Sequence, residues 1–206
     1  MNNSLDQLEI RSIRNLSHQK LASRLGSLLI ILSLASTIYI YYPVMLQELS
    51  YRLHPQPVNP APISANFSIT IPKLGISQQV IPNVNPTNKA EYLQALEHGV
   101  AHASGSALPD QPGNIYLFAH SSDNPFSITR YNTAFYLLPK LEIGDQIHLY
   151  YHGQDYLYTV RDKQIVTPWQ LSSVITNDHT GLTLQTCYPI GTDWRRLLIF
   201  ADPATQ

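Results

Sequence analysis

The stretch TLQTCYPIGTDWRRLLIFA, residues 183–201, predicts two β-strands joined by a Pro-Gly loop, and it contains Cys187, the only cysteine in the 206-residue chain. A single cysteine forms no internal disulfide, so Cys187 is a buried apolar residue, a metal ligand or a nucleophile. In the second strand, period two puts Arg196, Leu198 and Phe200 on one face. An arginine that shares a face with two large apolar residues lies at a barrel mouth or is paired with another group.

The sequence before this stretch is rich in strand-like runs. Alternating or compact apolar patterns occur at residues 67–71, 114–120 and 145–166, the last predicting a hairpin that turns at His152-Gly153. The best helical segment outside the N-terminal apolar run is Asn88–Gly99, which ends at a glycine. Many short strands with one helix favour a mainly β fold, a closed or nearly closed β-barrel.

The N-terminal part of the chain carries a long apolar run. No charged residue stands between Leu25 and Gln47, and a helix that spans a membrane needs about 20 apolar residues. Basic residues mark the cytoplasmic side of such a helix, and four precede the run: Arg11, Arg14, Lys20 and Arg24. A signal peptide cleaved near Ala35 is an alternative, but the apolar run continues well past that position.

These features predict four parts of the chain. We expect a cytoplasmic tail at residues 1–24, a single transmembrane helix at 25–47, a Pro-rich extracellular spacer at 48–65 and a folded domain at 66–206. The expected location is the cell membrane, with the folded domain outside the cell. The net charge of −1 and the absence of a basic stripe argue against nucleic acid as a partner.

Cys187 needs a partner for proton transfer if it is a nucleophile, because a free thiol with a pKa of ~8.5 is little ionised at neutral pH. Among the histidines, His18 lies in the expected tail and His54 in the spacer. His120 closes the apolar strand NIYLFAH and is followed by the polar loop SSDNP. Scaffolds display catalytic groups at such strand ends. Taken alone, however, His120 is more simply an ordinary strand-end residue, and Cys187 a buried structural cysteine.

The sequence predicts no metal site and no cofactor. His98 and His102 have the spacing of a zinc pair, but no glutamate lies between them as in the His-Glu-x-x-His motif, and Gly99 breaks the helix. We interpret His98 as a helix-end residue and His102 as a structural residue or one near a groove. The acidic residues show no calcium-loop spacing.

Together these residues resemble the sortases, the membrane-anchored cysteine transpeptidases of bacterial surfaces. The family signature is Thr-Leu-x-Thr-Cys at a strand end, an arginine that begins the next strand and a histidine that closes an earlier strand. This sequence has TLQTC at residues 183–187, Arg196 and His120. Flanking pieces such as ITIPKLGI and LEHGVAHASGSALPDQPGN also match, so the resemblance covers residues 67–202. Ala119, where glycine is usual, and Ser121, where many members have arginine, are departures.

The resemblance implies a closed eight-stranded sortase-type β-barrel with one or two short helices. It also implies that Cys187 is the nucleophile, His120 the general acid/base and Arg196 the group that stabilises the oxyanion or positions the substrate. Thr186 and Tyr188, on either side of Cys187, are further candidates for substrate contact. Residues 66–206 are accordingly expected to be the catalytic domain.

The implied substrate is a surface protein with a sorting signal of the Leu-Pro-x-Thr-Gly type, cut between Thr and Gly through a thioacyl-enzyme. The implied acceptor is an amine of a cell-wall peptide or of a pilin lysine. The preference for one signal depends on the loop between the sixth and seventh strands, about residues 166–180. Two alternatives stay open: a cysteine hydrolase that shares these residues, and a non-catalytic membrane-tethered scaffold, which predicts loss of one of the three.

Overall fold

The computed structural model describes residues 23–39, 42, 45, 46, 48, 49, 52, 53, 61–121, 134–174, 179–190 and 192–204. Residues 23–39 are helical, and none of the helices in these ranges has both the length and the apolar character needed to cross a membrane. The transmembrane helix expected at 25–47 and the spacer at 48–65 lie partly outside the described residues, and the tail at 1–24 lies almost wholly outside. These three assignments stay predictions.

The described residues from 61 onward form a closed barrel of eight strands, which confirms the predicted fold. Around the barrel the order is β1-β2-β3-β4-β7-β8-β6-β5, and β5 pairs with β1 to complete the circle. The pairs β2–β3 and β4–β7 are parallel, whereas the others are antiparallel. The strands are β1 Phe67–Ile71, β2 Ile76–Val84, β3 Val100–Ala103, β4 Asn114–Phe118, β5 Gln146–Tyr151, β6 Gln154–Val166, β7 Gly181–Tyr188 and β8 Arg195–Pro203.

Two short α-helices accompany the described part of the barrel, as expected. Helix α1, Lys89–Leu96, begins after Asn88, whose side chain accepts a hydrogen bond from the backbone N–H of Glu91. Helix α2, Leu171–Val174, lies in the connection between β6 and β7. The glycine after α1 is required by packing, since a Cβ at Gly99 would collide with the carbonyl oxygen of Gln79.

Strand alternation separates the barrel interior from its outer face. On β8, Leu197 and Ile199 are fully buried in the main core, whereas Leu198 and Phe200 belong to a second cluster on the outer side. Burial of one such side chain stabilises the fold by about 1.5–3 kcal/mol relative to exposure. The two faces predicted for this strand are therefore confirmed, and Arg196 lies on the outer face.

The structure confirms the predicted hairpin and adds one strand that the sequence analysis missed. Tyr151 pairs with Gln154, and the two turn residues His152 and Gly153 have φ values of 49° and 80°. Positive φ at both positions is the type I′ geometry that suits a two-residue hairpin. Strand β3 was missed because its four residues are too few to show a period.

His102 on β3 is a structural residue, which agrees with one of the two roles considered for it. It is 3% exposed, and its Nδ1 accepts a hydrogen bond of 3.2 Å from the backbone N–H of Asn83. The proton of the ring therefore lies on Nε2, which is 3.0 Å from the carbonyl oxygen of Ala107. Burial lowers the pKa of His102, and the hydrogen bond to Ala107 opposes that shift.

We expect the barrel to lose stability as the pH falls below 6.5, the ordinary pKa of histidine. The folded state holds His102 neutral, whereas the unfolded chain takes up a proton, so stability present above the unfolded pKa is lost toward the lower folded pKa. Thermal unfolding midpoints at about pH 7.5 and about pH 5 measure this loss. His102→Gln, which cannot titrate, should show a smaller drop between the two pH values.

The matched control is His98→Gln, because His98 is exposed at the end of α1. This variant should keep the pH dependence of the wild type. If His102→Gln lost as much stability as the wild type between the two pH values, His102 would not be the titrating group.

Candidate active site

His120 and Cys187 lie at the same end of the β4–β7 pair. The last paired residues are Phe118 and Gln185, whose pairing includes the 3.1 Å hydrogen bond from the backbone N–H of Ala119 to the carbonyl of Gln185. His120 follows two residues after Phe118, and Cys187 follows two residues after Gln185. Directly paired residues on neighbouring strands, about 4.8 Å apart, point to the same face of a sheet.

On the other side of β7, Cys187 pairs directly with Arg196 of β8. The three expected catalytic residues are thus found at one end of three adjacent strands: Arg196 on β8, Cys187 on β7, and His120 two residues after the end of β4. We call this the catalytic row. It lies on the outer face of the barrel, at the end where β7 leads into the β7–β8 loop.

Two buried threonines of the TLQTC motif hold β4 and β7 in this register. The Thr183 hydroxyl donates to Oδ1 of Asn114 at 3.0 Å, and the Thr186 hydroxyl donates to the carbonyl of Ala119 at 3.0 Å. Thr186 is fully buried and faces the interior, opposite to Cys187. This placement differs from the substrate contact expected for Thr186. Its side chain instead positions the backbone immediately before His120.

Tyr188 was the second candidate for substrate contact. Its ring is partly buried and packs against the main core of the barrel. The cis peptide bond between Tyr188 and Pro189 begins the loop to β8. In this structure the ring therefore covers the end of the barrel core, and a contact between Tyr188 and a substrate stays a prediction.

The β7–β8 loop holds the guanidinium group of Arg196. Nη1 donates hydrogen bonds to the carbonyl oxygens of Asp193, at 2.8 Å, and of Arg195, at 3.1 Å. Arg196 is partly buried, and its partner on β6 is Val166, where the connection to β7 begins. Arg195 is exposed, as expected for a surface charge. The carbonyl of Asp193 in the loop and that of Arg195 at the start of β8 hold the charge of Arg196.

The surroundings of Cys187 oppose ionisation of its thiol. Burial raises the pKa of Cys187, the Arg196 guanidinium lowers it, and the exposed carboxylate of Asp193 raises it further. Burial is the largest of the three effects, so the neutral thiol predominates at neutral pH. A nucleophilic role for Cys187 therefore requires that the thiol first lose its proton.

The sequence analysis missed two polar residues beside the catalytic row. The Tyr116 hydroxyl donates a hydrogen bond to Oε1 of Gln185 on the same outer face. Burial raises the pKa of Tyr116 well above its usual range; the Arg196 charge opposes this shift and the Cys187 charge adds to it. Period two does put Tyr116 on the face of His120 and Gln185 on the face of Cys187, but only strand pairing brings the side chains together.

Two other described histidines, His148 on β5 and His179 before β7, contact carboxylates away from the row. His148 Nδ1 is 2.9 Å from Oδ2 of Asp155, and His179 Nε2 is 2.8 Å from Oδ1 of Asp202. Across the part of the chain that the structure describes, no group of three or more His, Cys, Asp or Glu side chains is arranged to hold a metal ion.

Comparison with known families settles the relationship of the chain. The model of the sortase domain matches residues 69–204, which is most of the chain and includes all of the catalytic row. The chain belongs to the sortase family. Members of this family are cysteine transpeptidases.

Individual sortases show the same relationship. Sortase D of Bacillus subtilis (strain 168) is 31% identical over 133 residues, which cover 61% of this chain and 62% of that protein. The solved structure of Sortase A from Corynebacterium diphtheriae is similar with a TM-score of 0.57 and 26% identity, over 68% of this chain and 61% of that one. The solved structure of the pilus-related Sortase C of Group B Streptococcus is similar with a TM-score of 0.56 and 25% identity, over 68% of this chain and 67% of that one. The chain thus spans about 62% of the length of Sortase D.

We expect Thr186→Val to lower both stability and turnover of this sortase. The substitution leaves the buried carbonyl of Ala119 without its donor, which costs about 1–3 kcal/mol, and it releases the backbone before His120. Thr186→Ser should retain most of the wild-type behaviour. The measurements are the free energy of unfolding in urea and kcat/KM with a sorting-signal peptide, which should fall about 10-fold or more.

Thr183→Val is the matched control, since it removes a buried hydroxyl of the same strand away from His120. It should lose a comparable free energy of unfolding while kcat/KM stays near that of the wild type. Equal losses of kcat/KM in the two valine variants would contradict a positioning role for Thr186.

We expect the pKa of Cys187 to change when the carboxylate of Asp193 is removed. In Asp193→Asn the charge that raises the pKa of Cys187 is gone, so the pKa falls and more thiolate is present at a given pH. The rate of alkylation by iodoacetamide as a function of pH reports this directly, and its midpoint should move to lower pH. Asp155→Asn, on the β5–β6 hairpin, should leave the midpoint unchanged. A midpoint that stays fixed in Asp193→Asn would contradict this assignment.

Proposed function

We propose that this sortase is a membrane-anchored cysteine transpeptidase. It cleaves a sorting signal of the Leu-Pro-x-Thr-Gly type between Thr and Gly and transfers the protein to an amine acceptor. The observation that supports the proposal is the catalytic row: Cys187 on β7 pairs directly with Arg196 on β8, and His120 follows the end of β4, the other neighbour of β7. Membership of the sortase family supports the same chemistry.

In the first half-reaction the Cys187 thiolate attacks the carbonyl carbon of the substrate Thr, and the carbonyl oxygen becomes an oxyanion. Arg196 is paired directly with Cys187, and loop carbonyls hold its Nη1, so its charge is in place before the oxyanion forms. A guanidinium stays protonated at any working pH, and a fixed charge of this kind stabilises the developing oxyanion.

His120 is assigned both proton transfers. As an imidazolium it protonates the nitrogen of the departing Gly residue, which breaks the peptide bond and leaves the acyl group on Cys187 as a thioester. As a neutral imidazole it then takes a proton from the incoming amine, which attacks the thioester and releases the thiolate. The covalent intermediate divides one difficult amide exchange into two easier steps.

Only a minority of enzyme molecules is ready to react at neutral pH. Burial raises the pKa of Cys187, and the competing effect of Arg196 does not reverse that shift. The thiolate therefore forms rarely in the free enzyme. Because a thiolate and an imidazolium on neighbouring strands stabilise each other, their ionisations are coupled and belong to the pair.

The proposed setting is the outer surface of the cell membrane. The uncharged run from Leu25 to Gln47, preceded by basic residues, supports an anchor with the N-terminus inside. An enzyme tethered in this way meets substrate proteins as they emerge across the same membrane. The acceptor is an amine of a cell-wall peptide or a pilin lysine. A hydrolase would use water instead, and the scaffold alternative is disfavoured because all three row residues are present.

The proposal predicts a specific pattern of activity for the full chain in detergent micelles. With a Leu-Pro-x-Thr-Gly peptide and triglycine, the product should carry the new amide. Cys187→Ala should abolish turnover, while His120→Ala and Arg196→Ala should each lower kcat/KM by about 10²- to 10⁴-fold. Arg196→Lys should rescue only part of the loss, because it keeps the charge without the planar donors.

Arg195→Ala is the matched control, since this neighbouring arginine is exposed, and its kcat/KM should stay near that of the wild type. A carboxylic acid as the sole product in the presence of triglycine would identify a hydrolase. Wild-type turnover in Cys187→Ala would rule out the proposed mechanism altogether.

A further inference from the structure

The outer face of β4, β7 and β8 carries a polar side chain between two apolar ones, two residues before Cys187. Gln185 pairs with Phe118 on β4 and with Leu198 on β8, and both of these neighbours are buried. Gln185 itself stays partly exposed and points to the same face as Cys187. A ligand that lies along β7 therefore meets the carboxamide next to the nucleophile.

Two elements flank this part of β7. On the β4 side, the ring of Tyr92 from α1 lies edge-on to Phe118, with 6.3 Å between the ring centroids. On the β8 side, Leu171 of α2 packs against the outer cluster that contains Leu198. These contacts cover Phe118 and Leu198, and in the part of the chain that the structure describes, Gln185 stays partly exposed in a strip between them. We call this strip, from Gln185 to Cys187, the groove.

The hydrogen bond from Tyr116 fixes the orientation of the carboxamide. The Tyr116 hydroxyl donates to Oε1 of Gln185, which leaves the two N–H groups of Nε2 as the remaining donors. Burial raises the pKa of Tyr116, so the phenol keeps its proton and remains a donor at working pH. No acceptor for Nε2 lies among the described residues, and because Gln185 is partly exposed, its two N–H groups can donate to a ligand that enters the groove.

We propose that Gln185 is a substrate-binding residue that donates, through Nε2, to a main-chain carbonyl oxygen of the sorting signal. This inference rests on the proposed function, which places the scissile carbonyl at Cys187. An extended peptide and a β-strand both advance about 3.3 Å per residue, so Gln185 lies level with the peptide residue two positions from the scissile bond. Tyr116 is a positioning residue that acts through Gln185.

A main-chain acceptor fits the site because every residue of an extended peptide offers a carbonyl. The covered neighbours Phe118 and Leu198 make the surroundings of the carboxamide apolar, which strengthens a hydrogen bond formed there. The contact should therefore contribute to binding of the whole signal, whatever residue stands at its variable position.

The test is steady-state kinetics of the full chain with a set of Leu-Pro-x-Thr-Gly peptides that carry Ala, Asn, Glu or Lys at x. Gln185→Met keeps the length of the side chain and removes its donors. One net hydrogen bond corresponds to a rise in KM of about 3- to 10-fold, which should appear for every peptide while kcat changes less than about 2-fold. Thermal unfolding verifies that the variant is folded.

Tyr116→Phe should raise KM by a smaller factor than Gln185→Met. The double variant should be no worse than Gln185→Met alone, because Tyr116 acts on the substrate only by holding Gln185. The chain offers a matched control on β6, where the Tyr156 hydroxyl donates to Oε1 of Gln154 at 2.9 Å. Gln154→Met and Tyr156→Phe remove the same hydrogen bond away from the groove and should leave KM unchanged.

Each other outcome overturns the assignment. An unchanged KM in folded Gln185→Met, or a fall in kcat at constant KM, would show that Gln185 does not bind the signal. A rise in KM for only one residue at x would show that the acceptor is a side chain of the peptide and not its main chain. If the wild-type enzyme gave neither turnover nor a Cys187 adduct with all of the peptides, the proposed function itself would be contradicted, and this inference with it.

Discussion

The site depends on one constraint, the parallel pairing of β4 with β7. A hydrogen bond at the end of this pair, from Thr186 to the carbonyl of Ala119, joins residues 67 apart in the sequence and ties the residue before Cys187 to the residue before His120. Parallel neighbours cannot be joined by a tight hairpin. The chain between them supplies β5 and β6, which close the barrel on the far side, between β8 and β1. The site therefore exists only when the barrel is closed.

The β7–β8 loop controls both the charge and the reactivity of the row. Its carbonyl groups at Asp193 and Arg195 hold Arg196, whose charge lowers the pKa of Cys187. The Asp193 carboxylate and burial act in the opposite direction. A thiol kept neutral in this way is less reactive toward other electrophiles, because only the thiolate is a strong nucleophile. In the proposed mechanism, reactivity is greatest when a bound substrate can use the imidazole of His120 and the guanidinium of Arg196.

The sequence predicts the features that depend on a local residue pattern, such as the two faces of a strand or the position of a hairpin turn. The alternation in RRLLIFA correctly put Arg196 and Leu198 on the opposite face from Leu197, and the turn at His152-Gly153 marked the hairpin. Strand β3 was too short to detect, and the contact between Tyr116 and Gln185 depends on pairing of distant strands, which no local period encodes. The direction of Thr186 was available from the sequence, since a residue next to an outward Cys187 on a strand points inward.

The intact mass of the full-length enzyme, mixed with a sorting-signal peptide in the absence of an amine, shows whether Cys187 forms a thioacyl intermediate. We expect a mass gain equal to the peptide fragment that ends at Thr, located on Cys187 by peptide mapping and removed by hydroxylamine, which cleaves thioesters. Turnover without such an adduct, or an adduct on any residue other than Cys187, would contradict the proposed role of Cys187.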